Sequence, residues 1–238
     1  MRYACVTGAD RGIGLHLVKQ LLAEGYQVFA GKFLQENHEL DGLKAAHREA
    51  LHIVELNVTD GESVKATVRS INEKTDRLEL LINNAAILGD IQATIEDEMD
   101  FAQMEEVFRV NAIGSLRMSN ALYPYLEAGE MKLIVNISSE AGSIGDSSRE
   151  SWYAYCMSKS ALNMQSALIH NHIRKKGGQV MVVHPGWVQT YMQGKLDTQG
   201  ELTPEQSAIA ICARIAEHSK YIGDKPAYLD YSGAALPW

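Results

Sequence analysis

Apolar positions in this chain follow two alternating patterns. Short runs rich in Val, Ile, Leu and Tyr occur at residues 3–7, 27–31, 52–56, 78–83, 132–138, 179–184 and 227–229. Two of them, Leu78-Glu79-Leu80-Leu81-Ile82 and Val180-Met181-Val182-Val183, are nearly continuous, as in strands buried on both faces. Between the runs, residues 12–24, 61–75, 97–127, 152–175 and 204–218 read as helices. The third helical stretch opens Ile95-Glu96-Asp97-Glu98, and acidic groups suit a helix N-terminus. This alternation predicts right-handed βαβ crossovers. The expected fold is α/β: a doubly wound parallel sheet of about seven strands with helices on both faces. No repeat, low-complexity tract or linker divides the sequence, so residues 1–238 are expected to form a single domain.

Composition narrows the partners. The 238 residues carry a net charge of −8 and no block of Lys or Arg, which disfavours nucleic acid or an anionic membrane surface. Three cysteines, Cys5, Cys156 and Cys212, have no paired spacing. That argues against disulfides or a zinc site and fits a reducing cytoplasm. The eight His show no metal-like grouping either. The first apolar run is too short for a secretion signal, and no stretch is long enough to span a bilayer.

The first strand runs into Thr7-Gly8-Ala9-Asp10-Arg11-Gly12-Ile13-Gly14, which opens the first helix. Glycines there permit a tight turn and close approach to a pyrophosphate, and the helix N-terminus favours an anion. This predicts a dinucleotide. An acid at the end of the second strand would accept from a ribose 2′-hydroxyl and repel a 2′-phosphate. The chain has Lys32 there instead, and Arg11 adds a cation in the loop. Both point to NADP(H) over NAD(H). Downstream, Tyr155 and Lys159 are four residues apart and share a helix face. A neighbouring ammonium favours phenolate and lowers the Tyr pKa, suiting the phenol to general acid/base work. Tyr153 lacks this partner, since Met157 stands four residues on.

These motifs, in this order, resemble the short-chain dehydrogenase/reductase family in its shorter form. Asn83-Asn84-Ala85-Ala86, Val110-Asn111-Ala112, Asn136-Ile137-Ser138-Ser139 and Pro185-Gly186-Trp187-Val188-Gln189-Thr190 match further family stretches, and His184 through Val188 with the ending Leu229 to Trp238 is similar to its C-factor-like and sniffer-like carbonyl reductases. The resemblance implies a Rossmann-type fold and a catalytic set: Tyr155 as acid/base, Lys159 beside it on the nicotinamide ribose, Ser139 orienting the substrate oxygen, and Asn111 in a kinked helix holding a proton-relaying water. It implies a cofactor site formed by Gly8, Asp10, Arg11, Gly12, Ile13, Gly14, Lys32, Asn57, Val58, Asn84, Ala85, Pro185, Gly186, Val188 and Thr190, with Tyr155 and Lys159. It also implies a homodimer or homotetramer.

Three departures stand out. Ala86 replaces the usual Gly, and Asn57 stands where an Asp often meets adenine. The Ser139–Tyr155 gap is longer than is common, with the extra residues within 146–152. The irregular stretch 187–203 is expected to be a substrate lid. The expected activity is interconversion of a small carbonyl compound and an alcohol by hydride transfer. A non-catalytic dinucleotide-binding sensor on the same fold is the rival, and the filled catalytic set weighs against it.

Overall fold

The computed structural model describes residues 1–238. Seven strands form one parallel sheet in the order β3-β2-β1-β4-β5-β6-β7. They are β1 (Arg2–Val6), β2 (Tyr26–Lys32), β3 (Leu51–Glu55), β4 (Leu80–Asn83), β5 (Leu133–Ile137), β6 (Gln179–His184) and β7 (Ala227–Asp230). The helices are α1 (Gly12–Ala23), α2 (Glu39–Ala46), α3 (Gly61–Asn72), α4 (Phe101–Phe108), α5 (Ser115–Ala128), α6 (Tyr153–Ile173) and α7 (Pro204–Ala216). Each expected strand is present, with ends shifted by a residue or two. None of the helices is long and apolar enough to cross a membrane.

Two cores cover the sheet. On one face, Leu15, Leu17, Val18 and Leu21 of α1 pack with Ala208, Ile211, Cys212 and Ile215 of α7. On the other, α3, α5 and α6 contribute Val64, Ile71, Met118, Leu122, Leu126 and Ile173. The central strands are therefore buried on both sides, which is why their sequences barely alternate. Glu79, the one charge in the fourth run, turns aside to accept from the N–H groups of Glu130 and Met131 at 2.9 and 2.8 Å.

Three expectations need correction. Helix α2 was not foreseen; Gly42 sits in its middle, and Leu40 is its one buried residue, so the helical signal is weak. The acidic stretch 95–98 is not a helix start. Asp97 Oδ2 instead closes a turn onto Thr94 N and Oγ1 at 2.8 Å, and Asp100 caps α4 by accepting from Gln103 N at 2.9 Å. The long third helix is also interrupted, by a π-helical turn over Arg109–Gly114.

Buried polar groups tie the two catalytic helices to the sheet. Asn83 Nδ2 donates to Ser119 Oγ of α5 at 3.0 Å and to Asn136 Oδ1 at 2.8 Å. Asn136 Nδ2 donates to Ser166 Oγ of α6 at 2.7 Å. Breaking such a chain strands buried donors. Asn136→Ala is expected to lower the unfolding free energy by about 1–3 kcal/mol, measured by urea titration.

Candidate active site

The glycine loop leaves β1 where the strand order reverses, between β1 and β4. A doubly wound sheet opens a crevice at such a point. Thr7 Oγ1 accepts from the N–H groups of Asn84 and Ala85, both at 3.0 Å. Asn84 Nδ2 donates to the carbonyls of Thr7 and Gly8 at 3.0 and 2.9 Å. The backbones meet too closely for side chains. A Cβ on Gly14 would lie 2.1 Å from the Gly8 carbonyl oxygen, and one on Gly8, at φ +60°, would lie 2.8 Å from Ala85 Cα. Arg11 is the N-cap of α1 but makes no side-chain cap bond, and the first turn holds no acid. The first N–H groups of α1 are thus left for an anion.

The crevice is a cleft of about 840 Å³. Gly8, Asp10, Arg11, Gly12, Ile13, Gly14, Asn57, Val58, Asn84, Ala85, Pro185, Gly186, Val188 and Thr190 line it, together with Ser139, Tyr155 and Lys159. Asn57 Oδ1 is used within its own turn, accepting from Thr59 N and Oγ1 at 3.0 and 2.8 Å, which leaves its NH₂ for a ligand. Lys32 stands apart from this set. Its side chain is 8% exposed, and Nζ lies 3.1 Å from Asp41 Oδ2. Helix α2 supplies that carboxylate, so the ammonium at the end of β2 is held by an ion pair. Hydrogen bonds from Lys32 and then His38 hold the Asp41 carboxyl below its ordinary range.

Ser139 ends β5 in extended backbone and caps a short 3₁₀ turn, accepting from Ala141 N at 3.2 Å. Its neighbour Ser138 faces away and donates to Asn163 Oδ1 at 2.7 Å. Lys159 Nζ donates to the Ile137 carbonyl at 2.8 Å and lies 5.5 Å from the centre of the Tyr155 ring. Asn111 lies in the π-helical turn behind the cleft and is fully buried. Its Oδ1 accepts from Ile87 N at 2.9 Å, and its Nδ2 donates to Ile87 O and Ser158 Oγ at 2.8 and 3.0 Å. Both amide hydrogens are spent on protein partners, so the side chain acts here as a brace between the segment after β4 and α6.

Comparison with known proteins agrees with this geometry. The short chain dehydrogenase family model matches residues 2–201. The chain belongs to the short-chain dehydrogenase family. It is accordingly an NAD(P)-dependent oxidoreductase with a Rossmann-like fold. It is 32% identical to the C-signal protein of Myxococcus xanthus over 70% of this chain and 96% of that one. It superposes on the NADPH-bound carbonyl reductase from chicken fatty liver with a TM-score of 0.88 and 35% identity, covering 100% of this chain and 99% of the other. It matches the carbonyl reductase Sniffer of D. melanogaster with a TM-score of 0.89 and 27% identity, covering 100% of both chains.

In this short-chain dehydrogenase the electrostatics differ from the sequence reading. Burial raises the Tyr155 phenol, and the Glu140 carboxylate raises it further. Burial lowers Lys159 to about 7. Burial and Glu140 thus oppose the lowering that the lysine's charge favours, and about half of the lysine is charged at pH 7. Sequence reading passed over Glu140, Arg149, Trp152 and His184, all of which line the cleft. Glu140 adjoins Ser139, and Arg149 and Trp152 fall in the lengthened stretch; those placements were the available signals.

The lysine makes a testable contribution to stability. Its folded pKa, about 7, lies below the ordinary 10.5, so between those values the unfolded chain binds more protons. Stability then rises with pH by up to about 1.4 kcal/mol per unit from this group. Urea melts from pH 7 to 10 are expected to show that component in the wild type and its loss in Lys159→Met.

Proposed function

We propose that the protein is an NADPH-preferring reductase that interconverts a small ketone or aldehyde and its alcohol. One observation carries the reading. Ser139, Tyr155 and Lys159 open onto the same cleft as the uncapped N-terminus of α1. The cradle suits a dinucleotide: glycines let the backbone approach a pyrophosphate, and the N-terminus of α1 attracts its charge. When bound, the nicotinamide supplies or accepts the hydride. Tyr155 gives the proton to the substrate oxygen in reduction and takes it back in oxidation. Lys159 holds the cofactor ribose and restores charge near the phenol. Ser139 orients the substrate oxygen.

Preference for NADPH rests on Arg11, which lines the cleft at the start of α1, and on the NADPH carried by the chicken carbonyl reductase. Lys32, at the end of β2 and paired with Asp41, is the second cation in this reading. The segment 187–203 serves as the substrate lid of this one domain. It folds back on itself, with Trp187 Nε1 donating to Asp197 Oδ2 at 2.8 Å and Gln189 N donating to Leu202 O at 2.9 Å. We further place the enzyme in the cytoplasm, where its three free cysteines stay reduced, as a homodimer or homotetramer.

The test is NADPH oxidation against a panel of aldehydes, ketones and quinones. Tyr155→Phe is expected to lower turnover by about 10²–10⁴-fold while NADPH binding persists. Tight NADPH binding with no turnover across the panel would instead favour a sensor. Arg11→Ala is expected to reduce kcat/KM for NADPH about tenfold, as for a lost charged contact, and to leave NADH unchanged.

A further inference from the structure

The cleft contains a carboxylate that the acid/base set does not use. Glu140 Oε2 accepts the Ser139 hydroxyl proton at 2.5 Å. Its Oε1 is held by Arg149, whose guanidinium lies 5.1 Å from the centre of the Trp152 ring. Trp152 sits edge-on to Tyr155, with ring centres 6.1 Å apart. It adopts left-handed backbone, φ +68°, a strained conformation for a bulky residue. His184 Nδ1 is 3.4 Å from Glu140 Oε2, but it is buried and has no hydrogen-bond partner. Arg149 from the loop before α6 and His184 from β6 thus flank one carboxylate that reaches the catalytic serine.

That placement conflicts with what a carbonyl needs. A hydroxyl has one proton. While Glu140 holds it, Ser139 offers only lone pairs to the cleft, and a carbonyl oxygen is also only an acceptor. Donation to the substrate then requires Ser139 to abandon a charge-assisted hydrogen bond, which is roughly twice as strong as a neutral one. A substrate with its own donor beside the carbonyl removes the conflict. Its hydroxyl or ammonium can bond to Glu140, and the Ser139 proton then turns to the carbonyl oxygen.

We propose that Glu140 is a specificity-determining residue that selects carbonyl compounds carrying a hydrogen-bond donor on the adjacent carbon. The preferred class is the α-hydroxy and α-amino ketones or aldehydes. This deepens the reductase reading and rests on it. Arg149 and His184 act as positioning residues that keep the carboxylate on Ser139.

Two ketones of similar size separate the donor from the rest of the substrate: 2-hydroxyacetophenone and propiophenone. Each is reduced with NADPH by the wild type and by Glu140→Leu. The readout is the change in the ratio of their kcat/KM values, because the hydroxyl alters intrinsic reactivity equally in both proteins. Leu is expected to lower the ratio about tenfold or more, as loss of a charged hydrogen bond implies, with propiophenone gaining and the KM for NADPH unmoved. In a Ser139→Ala background the gain on propiophenone should vanish. An unchanged ratio overturns the proposal.

A second measurement does not depend on turnover. The carboxyl carbon of ¹³C-labelled Glu140 is followed by NMR in the NADP⁺-loaded protein, where a ketone can bind but receives no hydride. It is expected to shift on addition of 2-hydroxyacetophenone and not of propiophenone, and to titrate at higher pH in Ser139→Ala. Equal responses to both ketones, or an unmoved titration, overturn the role of Glu140. If neither ketone nor the wider panel is reduced while the selective shift persists, the reductase reading fails and the recognition of the donor group stands.

Discussion

The site depends on a clasp between two strand ends that are far apart in sequence. Asn84 reaches from the end of β4 to the carbonyls that follow β1, and Thr7 returns the contact through its hydroxyl. The clasp lies where the chain's path across the sheet reverses, and it adds to the backbone bond from Thr7 N to the Ile82 carbonyl at 3.0 Å. It fixes the glycine loop against Ala85 and so fixes the start of α1. The dipole and free N–H groups at that helix end have a defined target only because the loop is held in this way. Gly8 and Gly14 follow from the clasp, since a Cβ added to either would meet backbone at 2–3 Å.

The acid/base residues depend on a second tie with similar chemistry. Asn83 and Asn136 pass a hydrogen-bond chain from α5 through the sheet to α6, and Asn111 pins α6 to the segment beyond β4. The side chain of Lys159 crosses buried space to reach the Ile137 carbonyl. Buried amides are expensive unless satisfied, so such a network admits few arrangements. The π-helical turn around Asn111 is the local adjustment that lets its side chain reach both partners; such turns often mark functional positions.

Much of this was legible beforehand, and for identifiable reasons. Continuous apolar runs located the strands because both faces of the sheet are covered. The glycine spacing located the loop because a steric demand has only one residue that meets it. What could not be read depended on partners distant in sequence. The partner of Lys32 could not be read, because Asp41 comes from α2, whose pattern Gly42 weakens. The Tyr155–Lys159 spacing correctly placed two groups together, but burial decides their charge, and spacing does not report burial. Glu140 stood in plain view beside Ser139. Its importance depends on Arg149 and His184, which arrive from a loop and from another strand.

The pairing of α1 with α7 carries a consequence for how the molecule is made. The helix that begins the nucleotide loop packs on one whose residues follow the acid/base pair in the chain. During synthesis from the N-terminus, α1 is therefore an amphipathic helix with an uncovered apolar stripe while most of the protein is still being added. Its contacts are of long sequence separation, the kind that slow folding and leave intermediates prone to association. The cofactor cradle is encoded first and completed late, and a chain interrupted before α7 would hold the loop's sequence without the surface that steadies it.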